Sequence, residues 1–348
     1  MQTMVNHNSM SGRNQHHVWK HMQMGFCDEA RKGEIVWVYR KDGRVFDTNP
    51  RNHGAEKDFY EESGNNESAD DVITDFETKY APLVNRLRSG RPLSENIVDI
   101  PSLIAHLEVR SRFLRESLAL VATELIDEMI NRFLKPDHLS RAMVSQLREN
   151  PNWVRENLDG QKLSDAEVKV ITDFLDVNAG SAIERGLPSI IGPMAAVFAS
   201  MRASIKTTTI KSHLESIRTS SASPIERARF YGGLEFRVHD FMSGDLILPD
   251  TCVMFVTKAG LKPCVLKDDK IDAVVLPISK SRVVIGSLNA PFNRDLKTLN
   301  SMLATVSFET FVGGSREARL EKLTRKIGQN AALHSEHEVK KIIRDALK

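Results

Sequence analysis

The chain reads as an α+β protein on three observations. Two short runs of β-branched and aromatic residues flank Lys41-Asp42-Gly43 near the start. Apolar residues then recur at helical spacing through most of residues 70 to 218. From Leu234 to Leu288 the apolar runs shorten and are cut by Gly, Pro, Asp and Lys, as strands are. The expected architecture places the N-terminal β-hairpin and the late strand segment in one sheet, packed against a large helical middle.

Each element has its own local reason. Residues 1 to 14 are polar and aperiodic, which describes a mobile arm. Asp-Gly between β-rich runs is a strong hairpin signal, so Glu34 to Asp47 folds back on itself. Glu61 to Asp71 is a polar loop, and Val72, Ile73, Phe76, Tyr80, Leu83, Val84 and Leu87 then mark one helical face. A long periodic segment from Pro101 to Phe133 is expected as a single helix, with Pro136 as its stop. Shorter helices are expected at 138 to 149, 163 to 176 and 190 to 218. Strands follow at Leu246 to Leu248, Cys252 to Val256, Ala273 to Leu276 and Arg282 to Ile285, and the last fifth returns to helices. The expected organisation is an arm at 1–14, one α+β domain over 15–315 with a helical middle at 70–225 and a β-rich part at 229–290, and C-terminal helices over 316–348.

Composition narrows the function classes. The chain has 348 residues, 41 % hydrophobic and 27 % charged, the balance of a globular protein. Its formal net charge is +2, which gives no global pull toward nucleic acid or anionic membrane, so any polyanion must meet a local patch. Cys27, Cys252 and Cys264 form no C-x-x-C pair, and a reducing cytoplasm is the expected location. The first 25 residues lack an apolar core, and Gly186 to Met201 is short and interrupted by Pro188 and Pro193, so neither a signal peptide nor a membrane partner is expected.

Three places carry residue types suited to chemistry. His16, His17 and His21 fall within six residues, and histidine titrates near neutrality. On a helix, His17 and His21 would share a face at i, i+4 and could ligate a divalent metal, although no carboxylate or cysteine lies nearby in sequence. Asp250 follows the apolar run Leu246 to Leu248 and sits between Pro249 and Thr251, where a base or hydrogen-bond anchor emerges from a strand; a turn aspartate bonding its own backbone has the same signature. Arg110, with Arg112 and Arg115, interrupts an apolar helix face, and the planar fork of arginine suits a carboxylate or phosphate, while a solvated face paired with Glu108 and Glu116 is the plainer account. The Arg132 to His138 spacing of helical ribonucleases is broken by Pro136, and His16-His17 with Asn49, Asn52 and His53 only loosely follows a His-Asn-His nuclease.

The chain resembles the DUF4238 family, a family of unknown function, in order from about Gln15 to Ser315. The family's His-x-x-Pro opening matches His16 to Phe26, its hairpin Ile35 to Phe46, and its next elements Glu56 to Tyr60 and Asp75-Phe76-Glu77. Val109-Arg110-Ser111, the acidic position at Asp250, Leu276-Pro277-Ile278-Ser279 and Asn300 continue the order. Two departures stand out: Trp19 takes the place of Pro, and Thr251-Cys252 takes the place of Asn-Pro. The resemblance implies that His16, Arg110, Asp250 and Asn300 belong to one site. The leading expectation is a hydrolase or nuclease acting on an anionic or phosphate-bearing small molecule or nucleic acid, with His16, Asp250 and Arg110 catalytic and Asn300, His17 and Tyr60 binding substrate. The alternative is a non-catalytic binding or interaction protein in which the same residues form a structural polar network.

Overall fold

Val36 and Val38 point to one face of their strand and Tyr39 to the other, and all three are fully buried while the turn after them is exposed, so this strand is covered on both faces. β2 (Val36–Arg40) and β3 (Val45–Thr48) pair antiparallel, and Gly43 closes their turn at φ +85°, a conformation that favours glycine. The computed structural model describes residues 14–31, 34–57, 59, 69–90, 99–149, 164–218, 224–242, 245–288, 292–332, 339 and 341. The expected arm (all but Asn14), most of the loop at Glu61 to Asp71, Tyr60 and most of the last C-terminal helix lie outside those residues.

The chain divides into two compact units, Met1–Leu118 with Thr209–Ser335, and Ala119–Thr208 with Glu336–Lys348. The first is the α+β unit. It opens with β1 (Asn14–His16) and α1 (Lys20–Met24), and β1 pairs with β4 (Ala55–Lys57) so that His16 faces Ala55 and Gln15 faces Glu56. α2 (Ala69–Arg88) and α3 (Ile100–Val109) follow. α3 is apolar on nearly every side, and only Ser102 escapes full burial.

The expected single helix from Pro101 to Phe133 is two helices, α3 and α4 (Arg112–Phe133). The break is made by Ser111, whose hydroxyl bonds the Glu108 carbonyl at 2.9 Å and accepts the Leu114 amide at 3.4 Å, capping a new helix where apolar periodicity alone shows none. In the other direction, the helices expected at 163–176 and 190–218 are one continuous α6 (Asp165–Arg218), which carries Pro188 and Pro193 inside it. α5 (Pro136–Glu149) precedes it.

The sheet arrangement is finer than expected. After α7 (Pro224–Tyr231), strands β5 (Glu235–Asp240), β7 (Met254–Thr257), β8 (Gly260–Lys262), β9 (Ile271–Ser279) and β10 (Arg282–Ser287) form their own five-stranded antiparallel sheet, in the order β5-β10-β9-β7-β8. Of the late segment only β6 (Leu248–Pro249) joins the hairpin's sheet, through β11 (Thr310–Gly313), giving the order β3-β2-β11-β6. β11 was not foreseen because only four residues, Thr310 to Gly313, are strand, and α8 (Leu296–Val306) precedes them directly. Tyr39 and Phe311 face each other across β2 and β11 and stack at 4.8 Å. One large core joins both sheets to α1, α2, α3 and α8, and a smaller one gathers Phe59, Ile73, Val109, Phe113, Leu114, Leu214 and Ile217. The short α9 (Ala318–Glu321) sends Leu320 into the large core.

The second unit is helical. Its small core gathers Leu139, Ile183 and Leu187, with Phe133, Val144, Ile190, Ile191 and Met194 against them. Val170, Phe174, Val177 and Val197 are exposed. Among the described residues no helix is long and apolar enough to cross a membrane.

Candidate functional site

Arg110 ends α3 and is 1 % exposed, so its guanidinium must be satisfied inside the protein. Nη1 donates to Glu77 Oε1 of α2 at 2.6 Å and lies 3.3 Å from His106 Nε2, and Nη2 donates to the backbone carbonyl of His16. His106 sits one turn earlier on the same face of α3. Its ring stacks on Phe76 at 3.5 Å, and burial, then Arg110, holds its pKa well below the ordinary histidine value. A neutral imidazole can accept from the arginine, so the pair needs no second carboxylate.

The histidine cluster is spread over β1, the turn after it and α1. His16 Nε2 lies 3.3 Å from the Pro50 carbonyl, and burial lowers its pKa. His17 packs against the Phe59 ring at 5.2 Å, with Nε2 3.6 Å from Glu56 Oε1. Burial, followed by His53, Arg112 and Arg110, pushes His17 down to about 3, so at neutral pH this contact joins a neutral imidazole to a carboxylate and is no ion pair. Arg112 holds the same carboxylate oxygen at 3.1 Å. His17 Nδ1 is buried and makes no hydrogen bond among the described residues. His53 is pushed down to about 4 by burial and by His16, and its Nε2 reaches Thr310 Oγ1 at 3.5 Å.

His21 does not join this group as the helical spacing anticipates. α1 begins at Lys20, so His17 lies before the helix; the His21 ring packs tilted against Trp19 at 5.2 Å, and its pKa is lowered by burial, then by Arg88. Among the described residues no three His, Cys, Asp or Glu side chains are disposed to hold a metal ion. The divalent metal weighed from the histidine spacing therefore has no ligand set there.

Asp250 is occupied by the backbone. Its carboxylate accepts the amides of Phe308 at 2.7 Å, Glu309 at 2.8 Å and Thr310 at 2.9 Å, and its own amide donates to the Thr310 carbonyl at 3.1 Å. It ties the turn after β6 to the entry of β11. Burial raises its pKa to about 6 against the pull of those amides, which leaves it ionised at neutral pH. Asn300 does similar work from α8: Oδ1 accepts the Ile247 amide at 3.0 Å and Nδ2 donates to the Asp245 carbonyl at 2.7 Å.

His16, His17, Arg110, Glu77, His106, Glu56 and His53 thus form one polar group, and His53 carries it to Thr310, one of the residues Asp250 binds. Sequence reasoning missed His106, although its i, i+4 relation to Arg110 was available, and missed Glu77, which is distant in sequence. Arg115, which the sequence groups with Arg110, is a second buried cation. Arg115 lies over the Phe59 ring at 3.5 Å, donates to the Phe59 carbonyl at 2.8 Å, and meets His213 Nδ1 at 3.3 Å. His213 Nε2 lies 2.7 Å from the Val109 carbonyl, which assigns the proton to Nε2 and leaves Nδ1 to accept from Arg115. Glu108, weighed from the sequence as an exposed partner of Arg110, is instead a fully buried anion that accepts from Arg227 at 2.6 Å, the Val265 amide at 2.8 Å and the Tyr231 hydroxyl.

Trp19 and Cys252, the two positions expected from the sequence to depart from a proline, lie together. Trp19 has φ −52°, close to the angle a proline imposes, whereas Cys252 has φ +60°, which proline cannot adopt. The Cys252 sulfur is buried, and the backbone N–H of Trp19 faces it.

Comparison with known proteins gives one match. The family model described as "Protein of unknown function (DUF4238)" covers residues 14–342, nearly the whole chain. No curated protein and no solved structure matches the chain.

Proposed function

The chain belongs to the DUF4238 family of proteins of unknown function, and we propose that it is an intracellular binding protein in which His16, Arg110 and Asp250 are structural rather than catalytic. The observation that carries this reading is the state of Arg110. Its guanidinium is 1 % exposed, with Nη1 on Glu77 and His106 and Nη2 on the His16 carbonyl, so no face of it is presented to solvent. Asp250 supports the same reading, since its carboxylate holds three backbone amides of one turn. A buried polar network of this kind fixes the packing of helix on sheet. Three free cysteines, two of them buried, suit a reducing compartment.

The test is stability against ligand binding. Arg110→Met and Asp250→Ala are expected to melt well below the natural protein, with any binding of inorganic phosphate or a short oligonucleotide changing only as far as folding does. Variants that keep the natural melting temperature but lose phosphate or oligonucleotide binding would place these residues in a working site.

One observation favours a second reading, a hydrolase or nuclease acting on an anionic or phosphate-bearing substrate. His17 Nδ1 is buried without a hydrogen bond among the described residues, beside Glu56 and the 42 % exposed Arg112. A neutral imidazole next to a carboxylate and a guanidinium is a composition that can move a proton and hold an anion. Under this reading the chemistry belongs to His17 and Arg112, and His17→Ala would abolish phosphoester hydrolysis while leaving the fold intact.

A further inference from the structure

The stretch after β11 is fastened to the α+β unit by two carboxyl groups that meet each other. Asp245, ahead of β6, and Glu317, ahead of α9, have side chains 16 % and 28 % exposed. Ser315 Oγ lies 3.1 Å from Asp245 Oδ2 and 3.1 Å from Glu317 Oε1. Arg319 Nη2 lies 3.1 Å from Asp245 Oδ2 and 3.2 Å from Glu317 Oε1, and its Nε donates to Glu317 Oε2. Tyr39 completes the frame: its hydroxyl donates to the Ser315 carbonyl at 2.6 Å and accepts the Glu317 amide at 3.0 Å.

Arg319 Nη2 reaches both of the carboxyl oxygens beside Ser315, yet with both carboxyls ionised one of the two 3.1 Å contacts of Ser315 Oγ has no hydrogen in it. Ser315 has one hydroxyl hydrogen, and two carboxyl oxygens lie within its reach. A proton carried by the pair supplies the missing donor, because a carboxylic acid can donate to its neighbour while the hydroxyl serves the other oxygen. The surrounding charges leave that need in place. Lys280, whose stem lies against Gly314, is paired with Glu29 at 3.1 Å, and Arg316 is paired with Glu321 at 2.9 Å. Arg319 is the cation bonded to both carboxyls.

We propose that Asp245 and Glu317 form a proton-bridged carboxyl latch that fastens residues 315–329 to the α+β unit in mildly acidic solution and loosens them as the pair gives up its proton. What the latch holds is substantial: this stretch puts Leu320 and Ile327 into the large core and bonds Gly328 to the Ser307 carbonyl at 2.8 Å. The titrations run in the required directions. Burial, then Glu317, raises Asp245 to about 6, and the hydrogen bond from Asp245 holds Glu317 down at about 2. The raised Asp245 contributes stability that is complete near its unfolded value and is lost as pH rises through about 6. The depressed Glu317 contributes stability that is lost as pH falls through about 2, so the latch is tightest between these limits.

Hydrogen exchange of the full chain from pH 5.0 to 7.5, corrected for intrinsic amide rates, tests this. Peptides covering 315–329 should lose about tenfold in protection across that range in the natural protein. Asp245→Asn, whose amide donates at every pH, should abolish the change. Glu317→Gln should do the same and serves if the first variant does not fold. Protection that does not change with pH, or a pH dependence that survives in either variant, overturns the latch.

Discussion

The backbone N–H of Trp19 faces the buried sulfur of Cys252, the two positions set apart in the sequence as departures from an expected proline. The pairing gives the departures one physical meaning. A proline at either place would remove something the present loop uses: the N–H of Trp19, or the φ of +60° and the amide of Cys252, which donates to the Pro249 carbonyl at 2.9 Å.

Cys252→Pro should therefore destabilise the α+β unit by about 3 kcal/mol or more, since the ring can meet neither the angle nor the hydrogen bond. Urea denaturation measures it. A stability within about 0.5 kcal/mol of the natural protein would mean the loop rearranges freely and that its shape here carries no weight.

Much of the fold was legible in residues 15 to 88 and 246 to 285, where hairpin chemistry, helical periodicity and β-rich runs agree with one another. The misreadings have local causes. Ser111 breaks a helix whose apolar spacing runs on, and Pro188 and Pro193 fail to break one. The family resemblance brought His16, Arg110, Asp250 and Asn300 forward as one expected site. What those residues bind was not legible, because Glu77, His53 and the amides of Phe308 to Thr310 reach them only through tertiary structure.

Glu77 and Arg110 should be energetically coupled. Glu77→Gln removes the charge opposite a buried guanidinium and should cost about 3 kcal/mol, and the double variant with Arg110→Met should cost less than the sum of the two single variants. A double-mutant cycle in urea reads the coupling. Strict additivity would show that the 2.6 Å contact contributes nothing.

Acid should weaken the fold through its buried histidines. His17, His53 and His213 are held down to about 3, 4 and 4 by burial, so between pH 6.5 and about 4 the unfolded chain binds protons that the folded chain refuses. Their contribution is present above the unfolded value and is lost as pH falls toward the folded ones. Each such histidine is worth at most about 1.4 kcal/mol per pH unit. The urea midpoint should drop from pH 7 to pH 5, and His17→Asn should flatten that slope; a midpoint that holds or rises would show that these rings accept protons while buried.

Asp250→Ala leaves three amides without their acceptor. Each newly unsatisfied group costs about 1–3 kcal/mol, and the loss should be local. Hydrogen exchange should speed up first at Phe308, Glu309 and Thr310. Unchanged protection at these residues would mean that the carboxylate is not what holds the turn.

The most direct measurement is the melting temperature of Arg110→Met beside the natural protein. A structural arginine, buried at 1 % exposure and bound to Glu77, His106 and the His16 carbonyl, predicts a fall of roughly 10 °C, as breaking a buried ion pair costs about 3–5 kcal/mol. A melting temperature that stays the same or rises would contradict the account and return Arg110 to the list of residues kept for a substrate.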